Sequence, residues 1–149
     1  LRAVVQRVKH CSVSIGDRVH SETGTGLLVF LGIDMSDTED DVAYLADKIL
    51  NLRIFPDGAG KMNLSVLDTH GDLMLVSQFT LLADCSKGRR PSFAAAADPG
   101  VAWPLYLSLA KRLEYYGLKV RTGEFGELMD VSLDNWGPVT LVIDTPSGA

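Results

Sequence analysis

Ser77, Gln78 and Thr80 stand around Phe79 at the end of an apolar run, and a loop carrying Lys87, Arg89 and Arg90 follows them. Two hydroxyls and a carboxamide at the end of a buried strand could line a polar pocket. One hydroxyl could also act as a nucleophile, provided a base such as histidine takes its proton. The histidines are poorly placed to do so. His10 falls at a strand end, His20 in a hairpin strand and His70 in a His-Gly-Asp turn, where solvated or structural roles are the ordinary reading. Neither they nor Cys11 and Cys85 have metal-type spacing, so no metal and no cofactor are expected, and the two cysteines read as free thiols. The acids of "SDTEDD" suit a helix N-terminus, and "DGAGK" lacks the spacing and following helix of a phosphate loop. "GEFGE" is equally weak as a glycine motif.

The elements that must hold these residues alternate between two periods. "AVVQRV", "CSVSI" and "RVHSE" read as strands, the last two joined at Gly16-Asp17, while "GLLVFLGI" is apolar on both faces and suits a central strand. Ser36 followed by Glu39 gives a capping box, and Val42, Leu45, Ile49 and Leu52 recur at helical spacing, which predicts a helix over 38–51. "LRIFPDGAGKMNLSV" predicts two strand pieces around a turn, "DTHGD" a further turn, and "LMLVSQFTL" another strand. Asp98-Pro99 opens a second helix with Tyr106, Leu109, Ala110, Leu113 and Tyr116 on one face and Gly117 as its stop. "LKVRT", "MDVSL" and "VTLVID" are the closing strands, the last two separated by "DNWGP", and "TPSGA" reads as a frayed tail. The expected fold class is mixed α/β (α+β): one domain over 1–149, a largely hairpin-built, barrel-like sheet packed by two main helices.

Composition limits the function classes. With 149 residues, 46% hydrophobic and 22% charged, the chain is globular in character, and no apolar run is long enough to span a membrane. The alternating "LRAVVQRVKH" is unlike a signal peptide, so a cytoplasmic location without membrane attachment is expected. A net charge of −5 removes whole-molecule attraction to nucleic acid; DNA is not expected as a partner, and any RNA contact must use a local patch such as Lys87, Arg89 and Arg90.

Taken together, "VSQFTLLAD", "RPSF", "RIFPDGAGKMNLSV" and "NWGPVTL", in order from "AVVQRV" to the last strand, make the chain resemble the D-aminoacyl-tRNA deacylase family. The resemblance implies a homodimer that hydrolyses the ester between a D-amino acid and the 3′ adenosine of tRNA, as proofreading in translation. It implies that Ser77, Gln78, Phe79 and Thr80 line the active site, and that Gly137-Pro138, cis in the family, enters the partner subunit's pocket so that each site lies at the subunit interface. Arg7 matches a family position that holds the Gly-Pro loop, and Phe125 and Met129 match positions near the pocket for the terminal adenine. Family members commonly have an aspartate before Gly-Pro, where this chain has Trp136.

Under that resemblance the lack of a base beside Thr80 is informative, because the ribose 2′-hydroxyl next to the ester can assist attack by water. Backbone N–H groups around Phe79 and Thr80 would stabilise the oxyanion, and the rigid Gly-Pro carbonyls would occupy the space an L side chain needs. Glycine, with no side chain to clash, would then also be removed from tRNA. The same residues leave open a noncatalytic RNA-binding dimer, or a hydrolase of small esters that uses Thr80.

Overall fold

A computed structural model describes residues 1–146 of the chain. Its spine is β1 (Arg2–Ile15), a strand of 14 residues that joins the two short strands expected there. One edge of β1 pairs antiparallel with β3 (Gly26–Gly32) through residues 2–8 and with β2 (Arg18–Thr23) through residues 11–15. Its other edge carries β8 (Asp130–Asp144) over nearly its full length. β3 continues the sheet to β6 (Asp72–Ser77) and then β7 (Val120–Thr122), both in parallel. The strand path β2-β1-β3-β6-β7 curls until its two ends meet, where Ser21 Oγ donates to the Thr122 carbonyl at 2.8 Å. The result is a near-barrel in a mixed α+β fold.

Alternation along the strands divides the core in two. Val8, Cys11, Val13, Leu28, Met74 and Val76 fill the concave side. Ala3, Val5, Leu27, Val29, Leu31, Leu73 and Leu75 form the other side and are covered by α1 (Glu39–Asn51) and α3 (Pro99–Glu114). Val42, Leu45 and Ile49 of α1 meet Leu105, Leu109 and Leu113 of α3 in that layer, at the helical spacing that gives one apolar stripe. A further single turn of helix, α2 (Val66–Thr69), follows the small hairpin of β4 (Phe55–Pro56) and β5 (Met62–Leu64). Among the described residues, no helix is long and apolar enough to cross a membrane.

Several boundaries differ from the sequence reading, each for a local reason. The cap of α1 is Thr38, whose N–H donates to Asp41 at 2.8 Å; Ser36 instead bonds Asp34, and Glu39 accepts from Ser108 of α3 at 2.7 Å. The stretch contains two overlapping Ser/Thr-x-x-acid patterns, and the second one caps. Tyr116 leaves the apolar face of α3, because the helix ends at Glu114 and the side chain is 56% exposed. "DTHGD" contains the end of α2, with His70 in the left-handed conformation at its C-cap. The strand expected through "SQFTL" stops at Ser77, and Phe79–Leu82 form a 3-10 turn. Hairpins also dominate less than expected, since β3 to β6 and β6 to β7 are parallel crossovers passing through α1 and α3. Of the tail, Thr145 donates its N–H to the Leu1 carbonyl at 3.0 Å, while 147–149 lie outside the described residues.

Candidate active site

The parallel strands β3, β6 and β7 all end on the same side of the sheet, and the chain must turn away there before its helices return. A crevice at such carboxyl ends is the usual ligand site of sheets with parallel crossovers. Here it is a cavity of about 630 Å³, lined by Leu31 and Ile33 around the end of β3, Ser77, Gln78 and Phe79 around the end of β6, and the start of α3 at Asp98 and Pro99. The loop after β7 completes the wall with Phe125 and Met129.

The turn after β6 is set by backbone bonds. Gln78 N–H donates to the Leu31 carbonyl at 2.8 Å, which ties the end of β6 to β3, and Leu81 N–H donates to the Gln78 carbonyl at 3.2 Å. Gly32 permits this close approach: a Cβ there would overlap Leu82 Cδ2 and lie 3.2 Å from the Gln78 carbonyl oxygen. The first amides of such a turn have no carbonyl behind them to bond. Among the described residues neither the Phe79 nor the Thr80 N–H has a partner. Phe79 lines the cavity and Thr80 follows it, so two unpartnered main-chain donors adjoin the cavity, next to a Phe79 side chain that is 56% exposed and meets Phe93 edge-on at 5.1 Å.

Side-chain chemistry at this point is sparse. Gln78 Nε2 donates to Thr80 Oγ1, so the hydroxyl is held by an amide, and Thr80 itself does not line the cavity. None of the three histidines lines it either: His10 is paired with Glu22 at 2.6 Å, and His20 lies 3.8 Å from Glu124. Cys11 is buried in the concave core, where burial pushes its thiol up to about 11 and keeps it protonated at neutral pH. Cys85 is exposed and unbridged.

Phe125 is braced from behind by an aromatic stack. Trp103 lies 5.2 Å and Tyr106 5.6 Å from its ring, and Tyr106 fixes itself by donating its buried hydroxyl to the Leu75 carbonyl at 2.8 Å. Burial raises the pKa of that phenol well above its ordinary value. Neither aromatic residue of α3 stood out in the sequence as part of a site: Tyr106 read as helix packing, and Trp103 carried no signal of its own. Phe93 was equally hidden, although it directly follows the "RPS" of the basic loop.

Lys87, Arg89 and Arg90 sit on that loop, which is exposed and closed at its base by Asp84 and Ser92, whose backbones exchange bonds of 2.7 and 2.9 Å. Among the described residues none of the three cations forms an ion pair. Phe93 links the loop to the cavity.

Arg7, Gly137 and Pro138 belong to another place. Opposite Arg7 the register of β8 slips: Gln6 pairs with Thr140 and Val8 with Asn135, so 136–139 face a single residue of β1. The extra residues project as a wide bulge with Gly137-Pro138 exposed and its peptide cis. Gly137 has φ 143°, where a side chain is strongly disfavoured, and a Cβ would lie 2.8 Å from the Val139 nitrogen. Arg7 is 7% exposed; its Nε donates to the Trp136 carbonyl at 2.8 Å and its Nη1 to the Ile54 carbonyl at 2.6 Å. Its guanidinium also lies 4.4 Å above the Trp136 ring, which in turn meets Phe55 at 6.3 Å. Gly137 and Pro138 are not part of the cavity wall of their own chain.

Comparison with known proteins agrees over almost the whole chain. Residues 4–144 match the family model described as D-Tyr-tRNA(Tyr) deacylase. The chain is 54% identical over 145 residues to a D-aminoacyl-tRNA deacylase of Thermus aquaticus, covering 97% of this chain and 95% of that one. It is 52% identical over 145 residues to one from Thermosipho africanus, covering 97% of each. The solved structure titled c-Myc DNA Unwinding Element Binding Protein superposes with a TM-score of 0.92 at 39% identity, over 98% of this chain and 99% of that one.

Proposed function

The chain belongs to the D-aminoacyl-tRNA deacylase family and is a hydrolase of ester bonds, and on that premise we propose how it removes D-amino acids from tRNA and spares L-amino acids. The observation that carries the reading is the pair of unpartnered N–H groups of Phe79, which lines a largely apolar cavity, and of Thr80, the residue after it, with no basic side chain against the Thr80 hydroxyl. The two amides receive the ester carbonyl and stabilise the oxyanion as it forms; a donor of this kind is worth about 3 kcal/mol in the transition state. The substrate's own 2′-hydroxyl assists the attacking water, so no side chain has to exchange a proton. Ser77 and Gln78 shape the polar edge of the cavity, Phe125 and Met129 offer an apolar wall to the terminal adenine, and Lys87, Arg89 and Arg90 attract acceptor-end phosphates.

The stereochemical filter is Gly137-Pro138 of a second copy. In favour of this, the dipeptide is exposed, away from the cavity of its own chain, and directly follows the Trp136 carbonyl that Arg7 bonds. Near it an incompletely covered apolar row, Val4, Phe30 and Val142, crosses three adjacent strands, with Val142 63% exposed. A second copy seated on this face would bring its bulge to the first copy's cavity. Main-chain carbonyls there block an L side chain and ignore the identity of a D side chain, so the enzyme accepts many D-amino acids and also glycine.

Incubation of the pure protein with matched D-, L- and glycyl-tRNA tests the reading. The D and glycyl esters should be lost and the L ester retained. Equal loss of D and L, or binding with no ester loss, would contradict it.

A further inference from the structure

A strand that leaves its partner for four residues needs something at the neck of the bulge to take the hydrogen bonds that the ladder gave up. On the limb of the β8 bulge that returns to the ladder, that role falls to one side chain. Val139 N–H donates to Asn135 Oδ1 at 2.7 Å, while Asn135 Nδ2 donates to the Val139 carbonyl at 3.3 Å and to Thr140 Oγ1 at 3.0 Å. The carboxamide thus presents one acceptor and two donors to the first residues after the projection, as a neighbouring peptide group would. Arg7 holds the other limb through the Trp136 carbonyl, so Gly137-Pro138 is gripped on both sides.

We infer that Asn135 is a positioning residue for stereochemical discrimination: its amide sets where the Gly137-Pro138 carbonyls point, and it touches neither substrate nor reacting atoms. The inference rests on the reading of Gly137-Pro138 as the filter. No other side chain can easily replace the carboxamide. Serine offers one short hydroxyl in place of the three bonds, and aspartate keeps the acceptor for Val139 N–H but turns a carboxylate oxygen toward the Val139 carbonyl. Small rotations of the neck are magnified at the crest, where a filter based on steric exclusion is least tolerant of displacement.

Wild type, Asn135→Ala, Asn135→Asp, Thr140→Val and Pro138→Ala are compared in single-turnover cleavage of D- and L-tyrosyl-tRNA, with amide hydrogen exchange at Val139 and thermal midpoints. Asn135→Ala should speed Val139 exchange and lower the D-over-L ratio of kcat/KM by about tenfold or more, mainly by admitting the L ester. Asn135→Asp and Thr140→Val should fall between it and wild type, and they carry the test if Asn135→Ala does not fold. Faster Val139 exchange with an unchanged ratio, in a set where Pro138→Ala loses discrimination, overturns the inference and leaves the filter standing. Wild-type discrimination in Pro138→Ala would bring down the filter itself, and this role of Asn135 with it.

Discussion

At the scale of single residues, the proposed catalytic apparatus is notable for what its side chains are not asked to do. Thr80 has its hydroxyl bound by Gln78, and the one buried thiol is held protonated. Thr80→Ala should therefore retain single-turnover cleavage of the D ester to within about tenfold, a loss far smaller than that of a missing nucleophile. Abolished turnover with intact substrate binding would return Thr80 to the role of nucleophile. The residue types around Phe79 were legible in the sequence because polar side chains interrupt an apolar run. Phe93, Trp103 and Tyr106 were not legible, since an aromatic residue on a helix or after a loop carries no local mark of the ring it will meet. Asn135 could have been found only by knowing that four residues of β8 face Arg7 alone, which is a fact of register.

At the scale of elements, the site depends on how closely the turn after β6 sits on the end of β3. Gly32→Ala should push Leu82 and the Gln78 carbonyl outward, cost about 1–3 kcal/mol of stability, and slow D-ester cleavage by displacing the Phe79 and Thr80 amides. Chemical denaturation and single-turnover rates check both effects; wild-type values for the two would show that the close approach is unimportant. Periodicity revealed both main helices and most strands, because the apolar stripe of α1 and the double-sided apolar run of β3 are strong local signals. It failed where neighbours decide. β1 and β8 each run through what read as two strands, since their pairing bridges the irregularities at Arg7 and Gly137-Pro138. The strand β6 ends early because the chain turns after its last bond to β3, and the Gln78 carbonyl accepts from Leu81 N–H in the 3-10 turn.

At the scale of the whole molecule, the proposed mechanism brings together two features that one chain keeps apart: the cavity at the ends of β3, β6 and β7, and the exposed bulge on β8. The overall charge of −5 gives no help in attracting RNA, so the proposed mechanism assigns that attraction to the Lys87, Arg89 and Arg90 loop. Val142 lies on the incompletely covered sheet face, and as its side chain is already 63% exposed, a charge there should disturb the fold of one chain little. The most direct test is to determine the mass in solution of Val142→Arg and, in the same sample, its cleavage of D- and L-aminoacyl-tRNA. The prediction is a folded monomer that has lost D-selective cleavage, beside a dimeric wild type that retains it. A monomer that cleaves the D ester and spares the L ester as well as wild type does would contradict a site built from two chains.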